Sequence, residues 1–186
     1  MFIQTEATPN PATLKFLPGQ TVLGQGAMEF RSREAAANAP LAQALLAIEG
    51  VEAVMYGGDF VSVTKNGADW AHLKPAILGT IMEHFVSGAP LLTDGAPAVA
   101  DQDGEFFDPA DAETVATIKE LIETRVRPAV AGDGGDIVFK GFRDGVVFLT
   151  MKGACSGCPS STATLRNGIE NLLRHFLPQV KEVQSA

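Results

Sequence analysis

Cysteine is scarce in this chain: there are two, Cys155 and Cys158, and no others. A disulfide-stapled scaffold needs several pairs, so that class is excluded. No run of eighteen or more apolar residues occurs, which excludes a spanning apolar helix. The opening stretch Met1-Phe2-Ile3-Gln4-Thr5-Glu6 has neither a basic n-region nor a continuous apolar core. It also lacks the arginine-rich character of a transit peptide, so the expectation is a cytoplasmic protein that does not engage membranes. Positive charge is short overall, with a net charge of −8. A general nucleic-acid binder carries a basic face, and none is expected here.

The charge deficit is local. Residues 88–108 hold Asp94, Asp101, Asp103, Glu105 and Asp108 and no Lys or Arg. The same stretch carries Pro90 and Pro97 with Gly88, Gly95 and Gly104, and shows no usable periodicity. It reads as a flexible acidic linker over 89–108, between an N-terminal domain of residues 1–88 and a C-terminal domain of residues 109–186. The fold class expected is α+β, as two small two-layer α/β-sandwich domains.

In the first domain, Phe2–Glu6 and Thr13–Phe16 flank the turn cluster Thr8-Pro9-Asn10-Pro11 and read as short strands. Residues 39–49 read as a helix with Pro40 in its first turn and Gly50 as its stop. Val51–Tyr56 and Phe60–Thr64 form a hairpin around Gly57-Gly58-Asp59, and Trp70–Val86 a second helix with Ile77, Ile81 and Phe85 on one face. No phosphate loop, nucleophile motif or metal-ligand cluster is visible. His72 and His84 lie twelve apart on one helix, too far to share a metal, and read as surface or packing residues. Trp70 likewise reads as packing.

The second domain has the order α-β-β-α-β. Asp111–Val130 is helical, with Val115, Ile118, Leu121, Ile122 and Val126 at helical spacing. Ile137–Phe142 and Val146–Met151 are strands joined at Arg143-Asp144-Gly145. Pro159–Phe176 is a helix whose stripe Leu165, Ile169, Leu172, Leu173 and Phe176 faces the sheet. Val180–Val183 can add an edge strand. Asp133 and Asp136 read as turn residues capping local N–H groups before a strand, not as a catalytic carboxylate pair.

The chemistry sits in Gly153-Ala154-Cys155-Ser156-Gly157-Cys158-Pro159, between the second strand and the last helix. Two thiols at this spacing can chelate a metal, shuttle electrons, or close a small disulfide loop. Pro159 suits the first helical position, which sets Cys158 at the N-cap. The positive end of the helix dipole then points toward both sulfurs, Cys155 and Cys158, and is expected to lower their pKa. No charged residue lies between Lys152 and Arg166. Gly153, Ala154 and Gly157 shape the loop and offer backbone N–H groups to sulfur. A zinc site or iron–sulfur cluster needs about four protein ligands. His175 stands roughly 25 Å up the helix and cannot complete the set. The missing thiolates must come from a second copy, a partner or exogenous thiols. Two chains related by a two-fold axis supply four, which suits a releasable [4Fe–4S] cluster on the axis.

The C-terminal residues resemble the NifU-like (Nfu) iron–sulfur carrier family. The likeness rests on Val126-Arg127-Pro128, Asp133-Gly134-Gly135-Asp136, Leu149 through Ser161 with its cysteine motif, Thr164-Leu165 and Gly168-Ile169-Glu170. Phe2 through Pro11 with Leu14-Lys15-Phe16-Leu17-Pro18-Gly19 resembles the domain that precedes it in mitochondrial-type members. The resemblance implies a carrier rather than an enzyme. Cys155 and Cys158 would ligate a [4Fe–4S] cluster shared in a homodimer, received from an upstream assembly scaffold and delivered to apo iron–sulfur proteins. It also admits the mitochondrial matrix as location for a processed form. Two other readings of the residues stand beside it: a thiol–disulfide oxidoreductase, and a zinc-linked interaction module. As isolated, the chain is expected to hold the shared cluster, or zinc or no metal in its place.

Overall fold

The structure, a computed structural model, describes residues 1–93, 104–156 and 159–186, with only the backbone for 159–161. The chain divides into two compact units, Met1–Ala98 and Val99–Ala186. The architecture is mixed α/β, with one sheet and its helices in each unit.

In the first unit, strands β1 (Gln4–Ala7), β2 (Thr13–Leu17), β3 (Met28–Phe30), β4 (Val51–Tyr56) and β5 (Val61–Lys65) form an antiparallel sheet in the order β1-β2-β5-β4-β3. Alternation in β2, β4 and β5 sends Phe16, Val54, Tyr56, Val61 and Val63 into one core. Helix α1 (Pro40–Leu46) adds Leu41, Ala42 and Leu45, and α2 (Trp70–Ser87) adds Leu73, Ile77 and Ile81. Asp69 caps α2 through Ala71 N–H at 3.1 Å, and Gly88 ends it in the left-handed conformation at φ 68°. Strand β3 was absent from the sequence expectations. Three residues are too few for a periodic signal, and its place is set by pairing with β4.

The second unit follows the expected α-β-β-α-β order. A continuous helical stretch runs through α3 (Ala112–Leu121), a π turn (Ile122–Val126) and α4 (Arg127–Gly132). Within it the Arg127 N–H bonds Ile122 O, five residues back. Pro128, which has no N–H to give, follows directly, and a π turn absorbs such a lost bond. Strands β6 (Gly135–Arg143) and β7 (Val146–Gly153) form an antiparallel hairpin. Its turn takes positive φ at Asp144 (53°) and Gly145 (82°), as a tight two-residue connection requires. Helix α5 (Pro159–Phe176) leads to β8 (Glu182–Ser185), which lies parallel to β7. The edge strand thus starts two residues later than expected, and Val180 is buried in the core instead. Phe176 also differs from expectation: it is exposed, with the Arg125 guanidinium 5.2 Å from its ring, because the stripe drifts off the sheet by the final turn.

Residues 94–103 of the expected linker lie outside the described residues. Its flanks are held by their own units. Thr93 N–H donates to Asn38 O, and Leu91 and Leu92 pack on the first core. Phe106 bridges β6 at Gly141 and packs on Phe148 at 5.1 Å between ring centroids.

Candidate functional site

The register of the β6–β7 hairpin builds the cysteine loop. Gly135 pairs with Gly153 and Asp136 with Lys152 at the open end of the ladder. The segment Asp133-Gly134-Gly135-Asp136, some twenty residues earlier in sequence, therefore forms the floor under Ala154-Cys155. Gly134 (φ 77°) and Gly153 (φ 63°) take left-handed turns there. The loop is tied on both sides. Ala154 N–H donates to Gly134 O at 3.2 Å, and Ser156 bonds Gly153 O through N–H (3.1 Å) and Oγ (2.9 Å). On the helix side, Thr162 Oγ1 donates to Cys155 O at 3.0 Å. The Ala154 N–H is thus engaged within the loop rather than aimed at sulfur.

Cys155 is a free thiol, buried among the second unit's core residues. A methyl group added to Gly135 would sit 2.3 Å from its Sγ and 3.0 Å from its N. Gly135 is therefore part of the site, although it is not among the candidate site residues Gly153, Ala154, Cys155, Gly157 and Cys158 named from the sequence. The expected lowering of the Cys155 pKa is overturned. Burial pushes the thiol up to about 12, and the charges of Asp133 and Asp136 add to the rise. The reading from chain neighbours saw no charge between Lys152 and Arg166, but the fold brings two carboxylates from β6 and the turn before it. Cys155 also precedes α5 by four residues, outside the first turn where the dipole acts.

Asp136 is a buried strand residue, not a turn cap. Its carboxylate takes a bidentate pair from Arg127, Nε to Oδ1 at 2.8 Å and Nη2 to Oδ2 at 2.9 Å. Arg127 Nη1 also donates to Glu123 at 2.7 Å. Gly157 and Cys158 lie outside the described residues. His175 is exposed in the last turn of α5, away from the loop, and His72 is exposed on α2. His84 is buried, and burial holds its imidazole below the ordinary histidine range. Among the described residues, no three or more His, Cys, Asp or Glu side chains come together as a metal site. No helix among them is long and apolar enough to cross a membrane.

Chemically, Cys155 is a neutral thiol until something displaces its proton. A thiophilic metal does this directly, since the ligand is the thiolate. Among the described residues, Ala154, Cys155 and Ser156 are held in place by the bonds to Gly134, Gly153 and Thr162, which suits this part of the loop to such a ligand.

Two family models match the chain: "Scaffold protein Nfu/NifU N terminal" over residues 3–88 and "NifU-like domain" over residues 118–184. The human protein named NFU1 iron-sulfur cluster scaffold homolog, mitochondrial, is 50% identical over 186 residues, covering 99% of this chain and 71% of that one. The Drosophila ananassae protein of the same name is 49% identical, with 99% and 64% covered, so this chain spans a little under two thirds of its length. The solution NMR structure of a NifU-like protein from Saccharomyces cerevisiae aligns with a TM-score of 0.46 at 26% identity, covering 50% of this chain and 86% of that one.

Proposed function

This chain belongs to the Nfu family of iron–sulfur cluster scaffold proteins, and we propose that it carries a [4Fe–4S] cluster between two copies of itself and delivers it to apo-proteins. The cluster is cargo, held by Cys155 and Cys158 from each copy. The observation that carries this reading is the Cys155 loop, tied to Gly134 on one side and to α5 on the other. Each chain offers two cysteines in all, and a cluster takes about four thiolates, so a second copy completes the set. Two ligands per chain make a cluster that can be given up, which suits a carrier and asks for no catalytic group. Gly153, Ala154 and Gly157 shape the loop. A Cys155 thiol pushed up to about 12 is a poor nucleophile at neutral pH, which weighs against disulfide exchange.

The proposal extends to the whole chain. Residues 1–88 recognise partners, residues 89–108 link, and residues 109–186 carry the cluster from an upstream scaffold to acceptors. The location is the bacterial cytosol, or the mitochondrial matrix for a processed form, a reading supported by the word mitochondrial in the name of the human relative. Replacing either cysteine, Cys155→Ser or Cys158→Ser, should abolish cluster retention and leave the far-ultraviolet circular dichroism unchanged. A folded variant that still holds a full cluster would contradict the ligand assignment. Deleting residues 1–90 should leave loading intact and slow transfer to an apo-acceptor; equal transfer rates would remove the partner role of the first unit.

A further inference from the structure

Arg127 stands apart from the cysteine motif, yet the geometry around it converges on the Cys155 loop. Asp136 is 4% exposed, and a carboxylate buried to that degree is costly unless it is paired and hydrogen-bonded. Arg127 supplies both with two parallel N–H···O bonds, at 2.8 and 2.9 Å. Asp136 directly follows Gly135, the residue on which the Cys155 sulfur rests, and pairs across the ladder with Lys152. The π turn has a bearing here. One inserted residue re-phases a helix by about 100°, and Arg127 is the first residue beyond it. From there the guanidinium spans from Glu123 on its own helical stretch to Asp136 on β6.

We infer that Arg127 is a positioning residue for the cargo. Its bidentate clamp on Asp136 fixes the strand under the Cys155 loop and offsets part of a buried negative charge that would otherwise repel an anionic, thiolate-ligated cluster more strongly. This rests on the reading of Cys155 as a cluster ligand. Lysine cannot reproduce the clamp, because a single ammonium lacks the planar fork.

The test uses the full-length chain, reconstituted anaerobically with iron and sulfide, in five forms: wild type, R127K, R127M, D136N and R127M/D136N. The readouts are the half-time of cluster loss to a chelator and the reduction potential of the bound cluster. Loss from R127M should be faster by about tenfold or more, the scale on which outer groups support metal ligands. R127K should fall between R127M and wild type. Removing the carboxylate as well, in R127M/D136N, should recover most of the retention and reverse the fall in potential that R127M shows. Retention in R127M equal to wild type overturns the inference. So does a double variant as leaky as R127M, since the arginine would then act through something other than the Asp136 charge. If R127M fails to fold, D136N alone decides: a cluster potential above wild type is expected, and an unchanged one overturns the inference. A wild-type chain that takes up no iron overturns the cluster reading itself, and the inference with it.

Discussion

Gly135→Ala is the smallest change that should disturb the site. The new Cβ would lie 2.3 Å from Cys155 Sγ and 3.0 Å from both Cys155 N and Lys152 O, where ordinary contact begins at 3.4 Å. The sulfur must therefore retreat by about 1.1 Å or the hairpin end must open. Neither is free, because Ala154 N–H and Thr162 Oγ1 hold the loop from opposite sides. Overpacking of this kind costs about 1–3 kcal/mol. For a unit this small, each kcal/mol lowers the melting temperature by roughly 4–8 °C. Calorimetry of the full chain reads this directly. Trp70, the sole tryptophan, lies in the first unit and reports by fluorescence that this unit is undisturbed. Cys155→Ala removes the sulfur, so G135A should cost markedly less in a C155A background, by about 1 kcal/mol or more of coupling. A G135A variant as stable as wild type, or one equally destabilised with and without the sulfur, would refute the packing argument.

The other predictions address charge, a helix end and a turn. Because the Cys155 pKa is raised from 9.0 to about 12, the folded chain holds this proton more tightly than the unfolded one. The stabilisation is complete below about pH 9 and declines as pH rises toward 12, at about 1.4 kcal/mol per pH unit; urea midpoints of wild type and C155A should converge over that window, and parallel curves would contradict it. The same proton must leave on metal binding, so cluster uptake should strengthen as pH rises from 6 to 8, and pH-independent uptake would count against a thiol ligand held neutral. Tyr56→Phe should cost about 1–3 kcal/mol in the first unit, read by Trp70 fluorescence on thermal unfolding. The reason is that the buried phenol oxygen accepts the Ala42 N–H at 2.7 Å, at a helix start with no side-chain cap, and an unchanged midpoint would show that bond to be dispensable. Gly145→Ala places a methyl 2.9 Å from Gln179 O at a φ of 82°, and should cost about 1–3 kcal/mol of the second unit's stability by calorimetry; no shift would contradict the strain.

The elements with strong local signals were legible in the sequence. Asp144-Gly145 marked the hairpin, and Pro159 with the spacing of Leu165, Ile169 and Leu173 marked α5 with its observed bounds. The short strand β3 was not legible, because its position depends on a partner strand rather than on its own three residues. The π turn was hidden because Ile122 and Val126 keep helical spacing whichever hydrogen bonds join them. The error on the thiol came from reasoning along the chain. Burial, which only the fold decides, raises its pKa most, and two carboxylates about twenty positions away, brought beneath it by the Gly135–Gly153 register, add to the rise. Asp136 looked like a turn residue for the same reason, since nothing near it in sequence announces that Arg127 reaches across from the helix.

The central claim is that two chains share one cluster through Cys155 and Cys158. The most direct measurement is anaerobic reconstitution of the full chain, followed by iron and sulfide per chain and mass in solution before and after chelation. The account predicts about two irons and two sulfides per chain, in a dimer that falls to monomer when the cluster is stripped. Four irons on a monomer, or no iron with a reversible Cys155–Cys158 disulfide instead, would contradict it.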